Sequence, residues 1–164
     1  MIEKYLSFCK FFCKLCGIFA VLCMILSILI ITELVLERYL FQSAITWQTE
    51  LVTMLLVAST FIGSAYVLSI NGHVNVEYIY GFLKTKNKLK LQIITSSMSL
   101  LFFIFLFYLG FEITKTSYLK NYTTGTIWDP PLWIPYSSML IGSLLMVLQY
   151  FAQIIKLIQD LKEN

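Results

Sequence analysis

Three cysteines, Cys9, Cys13 and Cys16, stand in the spacing with which radical-SAM enzymes hold an iron–sulfur cluster. Such a cluster needs a loop that presents its thiolates together. Here the three fall at i, i+4 and i+7 of one apolar run, on a single helical face, where a thiol packs as a small hydrophobe. Cys23 lies deeper in the same run. His73 is the single histidine. Haem ligation across a membrane usually needs two, and catalytic zinc about three protein ligands, so His73 reads as a capping or hydrogen-bonding residue. Glu33, Glu37, Arg38 and Glu50 are the charges at the outer ends of the first two spans, and ionisable groups inside a membrane are functional candidates by default. Glu37 reads as reaching interfacial water. Arg38 and Glu50 lie across a short loop at one level, which makes them a candidate ion pair. No nucleophile–base set, phosphate loop or nucleotide fingerprint is present. The expectation is no enzyme, no catalytic residue, no cofactor and no metal.

The elements that carry these residues follow from composition. The 164-residue chain is 59% hydrophobic and 13% charged, with a mean hydropathy of +0.79. Soluble domains carry about 25% charged residues, and a small soluble fold could not hide this much apolar surface. Lipid is the implied solvent. The net charge of +3 comes from scattered lysines and forms no basic stripe for nucleic acid.

Four runs lack Asp, Glu, Lys and Arg: residues 15–32, 51–76, 91–111 and 130–155. A helix crosses a bilayer core with about 20 apolar residues. The runs do not alternate in polarity as barrel strands do. The expected fold is therefore an all-α membrane protein, residues 1–164 forming one integral membrane domain. Spans are predicted at about 15–36, 47–70, 91–113 and 132–155. Asn71-Gly72 should end the second span. Residues 73–84 place Val74, Tyr78, Gly81 and Phe82 on one helical face, as in a short amphipathic helix lying in the interface. Residues before the first run include Lys4, Lys10 and Lys14, as a signal peptide would. No small-residue cleavage site follows, so the run reads as an uncleaved first span.

Lysine distribution sets an expected orientation. With four spans both termini share a side. That side carries Lys4, Lys10, Lys14, Lys84, Lys86, Lys88, Lys90, Lys156 and Lys162, against Arg38, Lys115 and Lys120 on the other. Both termini are therefore expected in the cytoplasm, with all four cysteines near that reducing side and no disulfide. Trp128, Trp133 and Tyr136 would form an aromatic belt at the outer start of the last span. In the third span, residues 100–107 are apolar throughout and mark no inward face. Few small-residue pairs are visible, so the bundle is expected to pack modestly on its own.

The ordered set from Arg38 onward resembles the small membrane subunit of tripartite ATP-independent periplasmic (TRAP) transporters, the DctQ-like family. That family ends its first span in Arg and opens its second with Trp-x-x-Glu. It has a glycine in mid-span and then a Gly-His-apolar-x-apolar-acid turn. This sequence has Arg38, Trp47-Gln48-Thr49-Glu50, Gly63 and Gly72-His73-Val74-Asn75-Val76-Glu77. A proline and aromatic start to the fourth span, with a glycine beyond, is answered by Pro131, Trp133, Pro135, Tyr136 and Gly142. The family often has a proline just before that glycine; Leu140-Ile141 stands there instead.

The resemblance implies a multi-pass protein of the bacterial inner membrane. In that family a periplasmic binding protein captures a solute, often an organic acid. A large membrane subunit then carries the solute inward with sodium. The small subunit binds the large one as a scaffold and holds no transport site. It also implies Arg38, Trp47, Glu50, Gly63, Gly72, His73, Glu77, Pro131, Trp133 and Gly142 as structural or interface residues. Two other readings stay open at this point. Four cysteines and four spans fit a membrane thiol–quinone oxidoreductase, although the outer loops hold no cysteine. The chain would also fit a membrane scaffold for another complex.

Overall fold

The computed structural model describes residues 2–41, 47–70 and 85–163. They form four long helices: α1 Ile2–Phe41, α2 Trp47–Ser69, α3 Thr85–Leu119 and α4 Trp133–Glu163. Each holds a stretch long and apolar enough to cross a membrane: Phe11–Phe41, Trp47–Ser69, Lys86–Leu119 and Trp133–Leu161. The all-α, four-span membrane fold read from composition is the fold observed. Helices answer the demand that every backbone N–H and C=O in hydrocarbon find a partner within its own segment. Residues 2–14 contain no glycine or proline, and α1 runs through them without a break. Pro135 falls in the first turn of α4, where a missing N–H costs no helical bond. The predicted interfacial helix over residues 73–84 and the turn at Asn71-Gly72 lie outside the described residues.

The helices stand in a row. α1 packs on α2, α2 on α4, and α4 on α3, while α1 touches α4 more lightly. Near one end all four converge on a small core of Cys13, Ala65, Leu68 and Met146, joined by Phe103, Leu145 and Tyr150. The Phe103 and Tyr150 rings stack there with centroids 5.6 Å apart.

One face of α1 is a stripe of small side chains. Cys13, Gly17, Ala20, Cys23 and Ser27, continued by the larger Ile30 and Leu34, recur every three or four positions and are buried, while most of their neighbours are exposed. The pattern is that of a helix seam, and small residues on it let backbones approach closely. A Cβ added at Gly17 would lie 2.5 Å from the Tyr66 ring, and one at Gly63 would lie 2.9 Å from the Ala20 methyl. Ser59 donates its hydroxyl across the same seam to the Ala20 carbonyl at 2.9 Å. The expectation of few small-residue pairs is thus corrected. Counted by hydropathy, Cys, Ala and Ser merge into the apolar run; counted by size, they form a seam.

α3 is different. Only 11% of its most apolar stretch is buried, against 33% in α4. Met98, Leu101, Phe102, Phe105 and Tyr108 stand exposed along it. The connection from α3 to α4 is tightly built. Thr123 and Pro131 pair as an isolated antiparallel bridge. Leu132 N–H donates to the Tyr122 carbonyl at 2.9 Å, and Gly125 N–H donates to Asp129 Oδ1 at 2.9 Å. Asn121, Gly125 and Asp129 take positive φ values of 47°, 70° and 50°, and these are the residue types that adopt that region most readily.

Candidate functional site

Two groups of residues stand out: a polar and aromatic cluster where α2 begins, and the close contacts that clasp α2 in mid-span. α2 opens at Trp47 with Glu50 in its first turn, where the positive end of the helix dipole favours an acid. Glu50 is half-buried. Its Oε2 accepts a hydrogen bond from the Thr124 hydroxyl at 3.2 Å, which ties α2 to the α3–α4 connection. The Trp47 ring meets Trp128 edge-on, with centroids 6.3 Å apart and planes at 65°. Trp133, at the start of α4, meets Tyr118 in the same way at 6.0 Å and 83°. Such amphipathic rings suit the level of a membrane interface.

Gln48 is 1% exposed. Its Nε2 donates to Glu37 Oε2 at 3.4 Å, linking α1 to α2. Its Oε1 is buried and meets no partner among the described residues. Glu37 is therefore half-buried and hydrogen-bonded, a contact that its sequence reading did not include. The reason is the helix pairing, which brings Gln48 beside it. Arg38, the next residue, is exposed in the last turn of α1.

In mid-span, α2 is held on two sides. Gly63 meets Ala20 of α1, and the Phe61 carbonyl meets Gly142 of α4, where an added Cβ would lie 2.5 Å from that oxygen. Gly142 is buried. Two of the glycines singled out in sequence, Gly63 and Gly142, are thus points of close helix approach. Pro131 is half-buried and supports the connection that covers α4. The structure gathers Trp47, Glu50 and Pro131 near one end and sets Gly63 and Gly142 deeper. Gly72, His73 and Glu77 lie outside the described residues.

Cys13, Cys16 and Cys23 are free thiols. Cys13 belongs to the small core and donates to Gln149 Oε1 at 3.6 Å, joining α1 to α4. Between Cys23 and the start of α4, a groove of about 530 Å³ runs among α1, α2 and α4, with Trp128, Asp129, Pro130 and Pro131 at one end. A smaller recess of about 250 Å³ beside Glu50 and Thr124 shares Met54 and Pro135 with it.

Sequence reasoning missed Gln48, Thr124 and the small-residue seam. A buried amide in an apolar span and a three-and-four recurrence of small residues were the signals available for the first and last. Thr124 carried none, because its role depends on how the connection folds.

The chain matches the family described as tripartite ATP-independent periplasmic transporters, DctQ component, over residues 26–160. It belongs to this family. Arg38, Trp47, Glu50, Gly63, Pro131, Trp133 and Gly142 all fall within the matched stretch. No curated protein matches the chain. The protein is thus a DctQ-type small component of a tripartite transporter, with its four spans making it a multi-pass protein of the inner membrane. Membership in a transporter family favours transport over both the thiol–quinone and the unrelated-scaffold readings.

Proposed function

We propose that this DctQ component serves as a fixed scaffold for the large membrane subunit. That subunit would carry a solute inward with sodium after a periplasmic binding protein delivers it, and the solute class that best fits the family resemblance is an organic acid. The observation that carries the scaffold role is the row arrangement of the helices together with its uncovered apolar faces. A row has two broad flanks that a larger partner can cover. Among the described residues, every buried polar side chain is neutral: Ser27, Gln48, Ser96, Ser117, Ser143 and Gln149. Ion and substrate paths through a membrane usually draw on buried charge, so this chain suits a supporting role. The whole chain acts as one membrane domain in this reading, with Arg38 and Glu50 paired at the outer end and Gly72, His73 and Glu77 bracing the inner side.

Co-expression with a candidate large permease subunit tests the role. The chain should purify with it as a one-to-one complex, and each should raise the yield of the other. Failure to bind any such permease would defeat the scaffold reading. Both termini lie in the cytoplasm in this proposal. Single-cysteine labelling in a cysteine-free background checks it: a cysteine at Asn121 should react with an impermeant reagent from outside, and one at Asn87 should not. The reverse pattern would invert the topology.

A further inference from the structure

The groove among α1, α2 and α4 has walls made of membrane spans, so the medium that reaches it is lipid. Its walls are apolar: Phe19 of α1, Met54 and Ala58 of α2, and Ile134 of α4 contribute to them. Water needs two to four polar partners to settle in a cavity, and these walls offer few. The groove has a volume of about 530 Å³ and is open rather than enclosed. A long, thin apolar chain suits such walls. The rim supplies the second half of the argument. Trp128 and Asp129 line the groove's end, and Glu50 lines the recess that adjoins it. Among the described residues, neither hollow is lined by a lysine or arginine. Asp129 is exposed, with Oδ1 accepting from the Gly125 N–H. The Asp129 carboxylate at the groove's end would attract an ammonium, since a charge-assisted hydrogen bond to carboxylate is among the stronger polar contacts.

We propose that this groove is a lipid site: it holds one acyl chain of an aminophospholipid, whose ammonium group sits at Asp129. The assignment rests on the membrane spans and the groove, not on the subunit's role in transport. The Trp128 ring closes the groove at the level where amphipathic aromatics meet headgroups. Ala58 forms the part of the wall where any larger side chain would displace the lipid chain.

The test uses the full-length protein in phosphatidylcholine nanodiscs. These contain a trace of phosphatidylethanolamine, or of phosphatidylglycerol, bearing a diazirine on one acyl chain. After irradiation, labelled peptides are mapped by mass spectrometry. The ethanolamine lipid should label residues 51–58 and 134–138 several-fold more than the lipid-facing stretch 101–105 of α3. The glycerol lipid should label both regions alike. Ala58→Phe should abolish the excess at the groove. Asp129→Asn, at an exposed position that keeps an acceptor for Gly125, should make the two lipids equal and keeps the test open if Ala58→Phe does not fold. Equal labelling of groove and α3 by the ethanolamine lipid would overturn the site. Equal enrichment by the glycerol lipid would overturn the headgroup assignment. Loss of groove labelling when a large permease subunit is co-reconstituted would show a protein segment as the occupant, and would overturn the proposal as well.

Discussion

α1 meets α2 through glycine, alanine and serine, whereas α3 meets the rest of the chain through aromatic rings and leaves most of its own surface uncovered. Both helices are strongly apolar, so hydropathy does not separate them. What separates them is size. In lipid there is little hydrophobic reward for one helix to leave the hydrocarbon and join another, so association depends on close approach and hydrogen bonds. The α1–α2 seam has both: Gly17 against Tyr66, Gly63 against Ala20, and the Ser59 hydroxyl on the Ala20 carbonyl. α3 has bulky side chains along most of its length; Gly110 approaches Leu140 of α4, and Ser96 and Ser117 are its buried small residues. The lesson is that an apolar span can belong to the interior or to the lipid, and side-chain volume decides which.

The sharpest way to break this contrast is at Gly142. An added side chain there meets the Phe61 backbone, which cannot swing aside as a side chain can. Gly142→Leu should cost about 3 kcal/mol or more through overpacking. It should remove most of the monodisperse peak in detergent gel filtration, while Phe105→Leu on α3 leaves that peak nearly unchanged. Equal damage from both would erase the distinction between interior and lipid-facing helices. A smaller effect is expected at the outer end. If Arg38 and Glu50 are paired, each single charge reversal should cost about 1 kcal/mol and lower the yield of assembled complex. The double reversal Arg38→Glu with Glu50→Arg should recover part of that loss. Recovery will be incomplete because Glu50 also accepts from Thr124, a contact the arginine cannot accept. Additive damage would argue against coupling. The smallest effect belongs to Gln48. Interhelical hydrogen bonds in membranes contribute about 0.6 kcal/mol on average, and Gln48→Leu removes one such bond along with a buried oxygen that lacks a described partner. A thermal midpoint within a few degrees of wild type, measured with Glu37 unchanged, is the expected result. A collapse would mean that the Glu37–Gln48 link holds the seam together.

How much of this was visible in the sequence depends on the residue. The four spans were legible because lipid filters for length and apolar composition, and 164 residues carry four clean runs. Trp47, Glu50, Gly63, Pro131, Trp133 and Gly142 were legible as a set through the family pattern, and the structure gives the glycines a physical reason in close helix contact. The seam on α1 was hidden because cysteine and alanine score as apolar like leucine, even though the spacing of Cys13 and Cys16 had already marked a helical face. The Glu37–Gln48 contact was hidden because only the register of α1 against α2 shows Gln48 beside Glu37. The order of helices in space left no trace in the chain, because no span marks which neighbour it prefers.

That order bears on how the protein is made. In the row α1, α2, α4, α3, each of the two hairpins in the sequence is also a pair of spatial neighbours. The first pair can close its seam as soon as its second helix clears the ribosome, whereas the third helix must wait in the bilayer for the fourth before it has anything substantial to hold. Two such halves would then join along the face where Gly142 receives the backbone of α2, with the Cys13–Gln149 and Glu50–Thr124 contacts as further ties.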